Sequence, residues 1–321
     1  MDAIIALDVV LANGTYIKCS TTAYPDIYYA MRGAADSFGI VVNFYLQTQP
    51  APATVINWSY SLPNMFSDVP KAVAAFQHIQ DFARNASVVD RKLGFGMYMD
   101  GQGFSVSGTY FGDQNTFTTK IAPELLRTLP TPSSSSIKSV GWIQSLTLLD
   151  GSSSIITPVH GYSAHDNFYA KSVTVPESSP LTAAALTSYF TYIKNQGVNP
   201  PAPWFSIINL YGGADSQINT KDVNFAAYSD RGSLWVAQHY GFTDLGTTFP
   251  GAATTFVNGL NTAMTSQMPG TQFGAYLNYV DPGLSATDAH NLYYGSSLYA
   301  KLKTIKTTVD PGNVFANPQS I

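Results

Sequence analysis

A hairpin in the middle of the chain constrains the fold more than any other feature. Leu93 to Met99 and Phe104 to Phe111 are segments of strand length that pair naturally, and Asp100-Gly101-Gln102-Gly103 between them is a hairpin loop. Val55 to Leu62, Phe205 to Leu210 and Leu234 to Tyr240 read as further strands. Asp68 to Arg84 has helical spacing, with Val69, Ala72, Val73, Phe76, Ile79 and Phe82 on one face and Pro70 near its start. Leu181 to Gln196 reads as a second helix. Two helices over an antiparallel sheet give an α+β layer arrangement.

Towards the front, Ile4 to Leu11 and Thr15 to Cys19 flank the turn signal Ala12-Asn13-Gly14. Pro25 to Arg32 opens with a helix-start proline, Gly33 to Gly39 is a small-residue loop, and Ile40 to Leu46 is a strand. Pro50-Ala51-Pro52 marks a boundary. The serine run Ser133 to Ser136 reads as exposed. Near the end, Tyr299 to Lys306 is a short helix and Asp310 to Ile321 an irregular tail.

Composition removes several classes of function. The 321 residues suffice for two domains. Charged residues are 11% of the chain, well below the usual ~25%, and 20 Tyr, 18 Phe and 4 Trp supply a core. Sixteen Lys and Arg and a net charge of −4 make no basic footprint, so nucleic acid is not expected. No apolar run approaches the ~18 residues of a membrane helix. Cys19 is the one cysteine, which leaves no intrachain disulfide and no zinc cluster. It reads as a small residue at a strand end. His78, His160, His165, His239 and His290 form no metal-binding spacing, so no metal is expected. Gly101-Gln102-Gly103 lacks the third glycine of a dinucleotide loop, and no Gly-x-Ser-x-Gly elbow occurs. Asn13, Asn57 and Asn85 head glycosylation sequons, while Met1 to Ile5 has no leader character. The expectation is a secreted parent protein and a chain without its own leader.

Longer strings follow in a fixed order. They are Arg32-Gly33-Ala34-Ala35-Asp36-Ser37-Phe38-Gly39-Ile40-Val41, Phe168-Tyr169-Ala170-Lys171-Ser172, Leu210-Tyr211-Gly212-Gly213, and Leu234-Trp235-Val236-Ala237-Gln238-His239-Tyr240. Ala275-Tyr276-Leu277-Asn278-Tyr279-Val280-Asp281, Tyr293-Tyr294-Gly295 and Asp310-Pro311-Gly312-Asn313-Val314-Phe315 complete the series. In this order they make the chain resemble the berberine-bridge-enzyme-like flavoprotein oxidases of the vanillyl-alcohol-oxidase superfamily. Within that group it is similar to the fungal gluco- and chito-oligosaccharide oxidases. The C-terminal berberine-like segment is the most specific part.

The resemblance implies an incomplete PCMH-type FAD-binding domain plus a substrate domain whose antiparallel sheet is flanked by helices. On this reading residues 1–50 are a remnant of the FAD-binding domain, 51–270 the substrate domain, and 271–321 a berberine-like segment returning to the FAD domain. The cofactor is FAD, and the partners are an alcohol, often a sugar's anomeric hydroxyl, and O2. Tyr279 matches the general base, for which a phenol of pKa near 10 needs a stabilising neighbour. On a regular strand Tyr276 would face away from it, so the resemblance requires either a bend or different roles for the two tyrosines. Tyr276, Gln238 and Ile207 fall at substrate contacts, and Asn209 falls where the sugar oxidases have an acid supporting the base. An amide in that place cannot take a proton, and Ile207 is apolar where a polar contact is expected. Asp2, Ile4, Phe38, Gly39, Ile40, Val41, Tyr294 and Ser297 match cofactor-side positions. Ser297 departs from the family's asparagine, and Leu302 and Lys306 read as anchors of the last helix.

The family's glycine-rich pyrophosphate loop and FAD-tethering residues correspond to positions before Asp2, so the residues at hand would make part of an FAD site. Three functions follow as expectations: the C-terminal portion of an FAD-dependent sugar oxidase, a non-catalytic fragment or small-molecule- or carbohydrate-binding domain, or an oxidase of a secondary-metabolite alcohol.

Overall fold

The computed structural model describes residues 1–156 and 166–321. They form ten strands and nine α-helices, numbered in chain order, in two compact units. Mixed helices and antiparallel sheets make it an α+β fold.

The first unit comprises Met1–Pro50, Ile218–Arg231 and Asp281–Ile321. Its sheet has the order β2-β1-β3, with β1 Ile4–Val10, β2 Tyr16–Ser20 and β3 Ile40–Leu46, all antiparallel. Asn13 closes the β1–β2 turn by accepting the Thr15 N–H at 3.0 Å. Helix α1 (Pro25–Met31) begins on its proline and packs against β2. Leu7, Val9, Ile17 and Cys19 are buried. Residues 218–231 belong here because the Tyr29 hydroxyl donates to the Val223 carbonyl and Arg231 grips Asp2. Beyond α8 (Ala286–Tyr293), α9 (Gly295–Val309) runs further at both ends than the short helix read from sequence. Its Lys306 anchors the tail: the ammonium donates to the Ser37 and Phe315 carbonyls and pairs with buried Asp310 at 2.7 Å. Asp310 in turn accepts the Val314 and Phe315 N–H groups, which is what the Asp-Pro-x-Asn-x-Phe string provides.

The second unit comprises Ala51–Gln217 and Gly232–Val280. Its seven-stranded antiparallel sheet has the order β7-β4-β6-β5-β9-β10-β8. The strands are β4 Val55–Leu62, β5 Leu93–Asp100, β6 Phe104–Tyr110, β7 Ser134–Val140, β8 Asp166–Pro176, β9 Trp204–Leu210 and β10 Ser233–Asp244. Strict alternation in β4 and β5 sends Ile56, Trp58, Tyr60, Phe95, Met97 and Met99 to one face. Helices α2 (Val69–Ala83), α6 (Ala183–Tyr192) and α7 (Gly251–Thr265) share that core through Phe76, Ile79, Phe82, Phe190, Val257 and Leu260. Short α3 (Gln114–Thr116) and α4 (Ala122–Leu126) flank a π-helical turn. Helix α5 (Trp142–Asp150) meets β4, where the Ser145 hydroxyl donates to the Asn57 amide oxygen at 2.7 Å. Asp68 caps α2 by accepting the Lys71 N–H.

Two expectations needed revision. Ser133 to Ser135 are exposed and Ser136 is half-buried, and Ser134 to Ser136 also open an edge strand, β7, because they pair with Ser61, Tyr60 and Ser59. The stretch holding Tyr276 and Tyr279 is a turn rather than a strand.

Candidate active site

Helices α2, α6 and α7 cover one face of the seven-stranded sheet, and the opposite face, met by α5 at β4, carries small and polar side chains. Cross-strand partners share a face, so the register defines rows running across it. One row reads Ser134, Ser61, Ser105, Tyr98, Ile207, Gln238, Ser172, from β7 to β8. The next reads Ser136, Ser59, Ser107, Gly96, Asn209, Val236, Thr174. A cavity of about 660 Å3 opens over this second row, lined by Ser59, Gly96, Ser107, Lys138 and Asn209 among others.

The Tyr276–Tyr279 turn stands at the β8 end of these rows. Gly274 bridges Thr174, and the Ser172 hydroxyl accepts the Tyr276 N–H at 2.8 Å. The Tyr279 N–H then bonds back to the Tyr276 carbonyl at 2.9 Å. This reversal supplies the bend that a regular strand lacks. It puts the two rings 5.0 Å apart, edge to face. Tyr211, the residue after β9, meets Tyr276 from the other side at 6.1 Å. The Tyr276 hydroxyl accepts from the Asn278 amide at 2.9 Å, whereas the Tyr279 hydroxyl has no hydrogen-bond partner among the described residues. Burial, and then the Tyr276 ring beside it, pushes the Tyr279 phenol above its usual range. Tyr211 is pushed up more strongly, by burial first and the Tyr276 phenol second.

Gln238 and Ile207 are direct cross-strand partners, so the structure brings both together in the row that ends beneath Tyr276. Asn209 lies one row over, opposite Gly96 and Val236. A side chain at position 96 would put its Cβ 2.4 Å from the Asn209 amide oxygen, so the glycine makes room for that amide.

The cofactor-side positions lie in the first unit. Asp2 is held bidentately by Arg231, at 2.6 and 2.8 Å, so its carboxylate is already satisfied. The opposing influences on that carboxylate are burial, which raises its pKa, and Arg231, which prevails and lowers it. Ile4 is half-exposed on β1. Phe38 is fully buried, so its ring is core. Gly39 lets β3 start against β1, since a Cβ there would lie 2.7 Å from Val9 and 2.9 Å from the Val10 carbonyl. Ile40 is 59% exposed and Val41 half-buried. Tyr294 is buried and its phenol pushed far up, by burial first, while Ser297 is exposed in the first turn of α9.

Three contributors were not singled out in the sequence: Ser172 beneath the turn, Tyr211 beside it, and Arg231, which grips Asp2. Ser172 and Tyr211 sit inside strings already recognised, at the outward-facing strand parity that marks them. Arg231 carries no local signal, because its partner is more than 200 residues away. The described histidines are structural. His78 and His290 bond to backbone carbonyls, and His239 is buried against Ser206. His160 and His165 lie outside the described residues.

Residues 275–321 match the berberine and berberine-like family. Over its full length the chain is similar in sequence and fold to FAD-linked oxidoreductases of the berberine-bridge-enzyme-like type. It is 28% identical to a chitooligosaccharide oxidase of Gibberella zeae over 322 residues, covering all of this chain and 63% of that protein. The solved structure of a chitooligosaccharide oxidase superposes with a TM-score of 0.91 at 28% identity, over 99% of this chain and 66% of the other. A xylooligosaccharide oxidase from Myceliophthora thermophila C1, in complex with xylobiose, gives 0.89 at 28% identity, over all of this chain and 66% of that one. The chain thus spans less than two thirds of the length of these relatives. The glucooligosaccharide oxidase from Acremonium strictum, 25% identical with a TM-score of 0.89, carries a 6-S-cysteinyl, 8α-N1-histidyl FAD.

Proposed function

We propose that the chain is the substrate-handling portion of an FAD-dependent oxidase that converts an alcohol, the anomeric hydroxyl of an oligosaccharide, to a carbonyl. The observation that carries this reading is the Tyr276–Tyr279 turn, seated on Ser172 at the end of a polar sheet face. Bound FAD supplies a two-electron hydride acceptor, and O2 the final oxidant, giving H2O2. The Tyr279 hydroxyl has no partner among the described residues, and in its phenolate form it takes the substrate's hydroxyl proton as hydride leaves carbon, so no cation is stranded. Tyr276 holds the Tyr279 ring from its edge. Gln238 donates and accepts hydrogen bonds to substrate hydroxyls. Asn209 orients the substrate through its amide and moves no proton, and Ile207 gives an apolar contact. The second unit with its turn is the substrate domain, and the first unit is the part of the FAD-binding domain that these residues make.

The residues present fit part of FAD. Ile40, Val41 and the exposed strand around them suit a flat, apolar group. A pyrophosphate needs converging backbone N–H donors, and the glycines nearest that strand do not offer them. Gly39 is closed by Val9 and Val10, and the Cβ position of Gly33 is filled by the Ala227 carbonyl.

A second reading is favoured by Ile207. Its apolar side chain lies between Tyr98 and Gln238 in the row, which suits a less polar alcohol. Adding FAD, desalting and recording the absorbance spectrum tests the first point. Retained flavin with sugar-dependent H2O2, reduced about 10²-fold or more in Tyr279→Phe, supports the oxidase. Turnover of aromatic alcohols but no sugar selects the second reading. A colourless protein that binds sugar marks a binding domain.

A further inference from the structure

We propose that Asn85 is an N-glycan acceptor, whereas Asn57, which heads a sequon of the same pattern, is sealed by the fold. Both belong to the second unit, and Asn13 heads the remaining sequon in the first. Asn85 lies two residues beyond helix α2, in Asn85-Ala86-Ser87. Its Oδ1 accepts the Ser87 N–H at 3.1 Å and the Ser87 hydroxyl at 2.6 Å. A backbone N–H can only donate, so this contact fixes which end of the amide is oxygen. Nδ2 is the other end, and it has no hydrogen-bond partner among the described residues.

The turn holds that nitrogen on a fixed support. The Asn85 N–H donates to the Phe82 carbonyl, and the Asn85 carbonyl accepts the Val88 and Val89 N–H groups at 3.0 and 2.9 Å. Phe82 and Val89 are buried, whereas Arg84, Ala86 and Ser87 are exposed. A transferase can therefore reach the amide without opening the core. The group transferred is an oligosaccharide carried on a lipid diphosphate. Nδ2 attacks C1 of its reducing-end sugar. The N–C1 bond forms, the C1–O bond to the diphosphate breaks, the amide gives up one N–H proton, and the lipid diphosphate leaves. No electrons are exchanged with an oxidant or reductant. The two hydrogen bonds on Oδ1 stabilise the charge that this oxygen takes on as the proton leaves.

Asn57 lacks each of these features. It lies in β4, which is paired on both edges, opposite Thr109 of β6 and Lys138 of β7. An extended ladder cannot close the turn that would bring the Ser59 hydroxyl back onto the Asn57 amide. The Asn57 Oδ1 instead accepts the Ser145 hydroxyl at 2.7 Å, and its Nδ2 donates to the Ser145 carbonyl at 3.5 Å. Ser145 is a buried residue of α5. A glycan on Asn57 would push α5 off β4, so the folded protein carries none there. Asn13 is exposed and accepts the Thr15 N–H, but among the described residues no Thr15 hydroxyl bond completes the pair.

The test is expression of the chain, carrying Asn13→Gln, behind a cleavable leader in a yeast secretory host that supplies the lipid-linked donor. Intact mass is read before and after peptide-N-glycosidase, which turns an occupied asparagine into aspartate and so marks the site. Digestion should remove the mass of a single N-glycan, with the mark on Asn85 and none on Asn57. Asn85→Gln and Ser87→Ala should each abolish that mass loss. Ser87→Thr, which keeps the hydroxyl, should retain it, and Asn57→Gln should leave it unchanged. The Asn85 peptide is scored in retained as well as secreted protein, so a variant that folds poorly is still read. Secreted protein unmodified at Asn85, or a mass loss that survives Asn85→Gln and maps to Asn57, would overturn the proposal.

Discussion

The two sheets solve the problem of an uncovered face in opposite ways. In the second unit, the face away from the helices is built of serine, glycine, asparagine and stacked rings, and β7 closes its edge with hydroxyls. In the first unit, β3 is an edge strand whose Ile40, Val42, Phe44 and Leu46 are each more than half exposed. A polar face stays soluble and can still bind a ligand. An apolar edge strand is a template for association. The comparison teaches that burial of the core is not what separates these units, since both bury one face well. What separates them is how the remaining face meets water.

Breaking the covered side of the second sheet should cost most. Trp235 is fully buried and packs edge-on against Phe76 and Phe95, so Trp235→Ala should lose about 3–5 kcal/mol in a denaturant titration. Lys306→Met should come next. It strands buried Asp310 without its partner and should cost about 3 kcal/mol, with Asp281–Ile321 becoming protease-sensitive first.

His239 sharpens the contrast through pH. Complete burial, and then the charge of Lys171, hold its pKa down to about 3. Between the unfolded value near 6.5 and about 3 the unfolded chain binds the extra proton, so stability should fall as pH drops through that window. His239→Gln should flatten that part of the profile. On the alkaline side Tyr279 behaves in the opposite sense. A base with a raised pKa is protonated at neutral pH, so turnover of reconstituted protein should climb as pH rises past 10. Smallest of all should be Phe44→Ser, within about 0.5 kcal/mol of the parent. Its signature is less light scattering at high concentration, and unchanged scattering would mean that β3 is not the sticky edge.

Most strands, with helices α2 and α6, were legible in sequence because their periodicity is strong. The hairpin over 93–111 and helix α2 (Val69–Ala83) fall within a residue or two of their expected limits. Helix α7 went unread although Ala253, Phe256, Val257, Leu260, Ala263 and Met264 carry helical spacing, because alanine, threonine and glycine between them blur the pattern. Strand β8 (Asp166–Pro176) was visible as a string and not as an element. Its long buried run lacks the alternation that marks a half-buried strand. At the site, Tyr279, Tyr276, Gln238 and Ile207 were named through resemblance, whereas their arrangement was not. The Tyr276–Tyr279 turn depends on Ser172, more than 100 residues upstream, and local sequence says nothing about so distant a seat.

The row that crosses the second sheet has a consequence for how such a protein diversifies. Each of its seven positions comes from a different strand, and each side chain stands clear of the main-chain hydrogen bonds that hold the sheet. A point change at any one of them edits one step of the ligand's path and leaves the ladder of the sheet intact. An insertion inside a strand would instead invert every side chain beyond it. Preference for one ligand over another can therefore drift residue by residue while the architecture stays fixed.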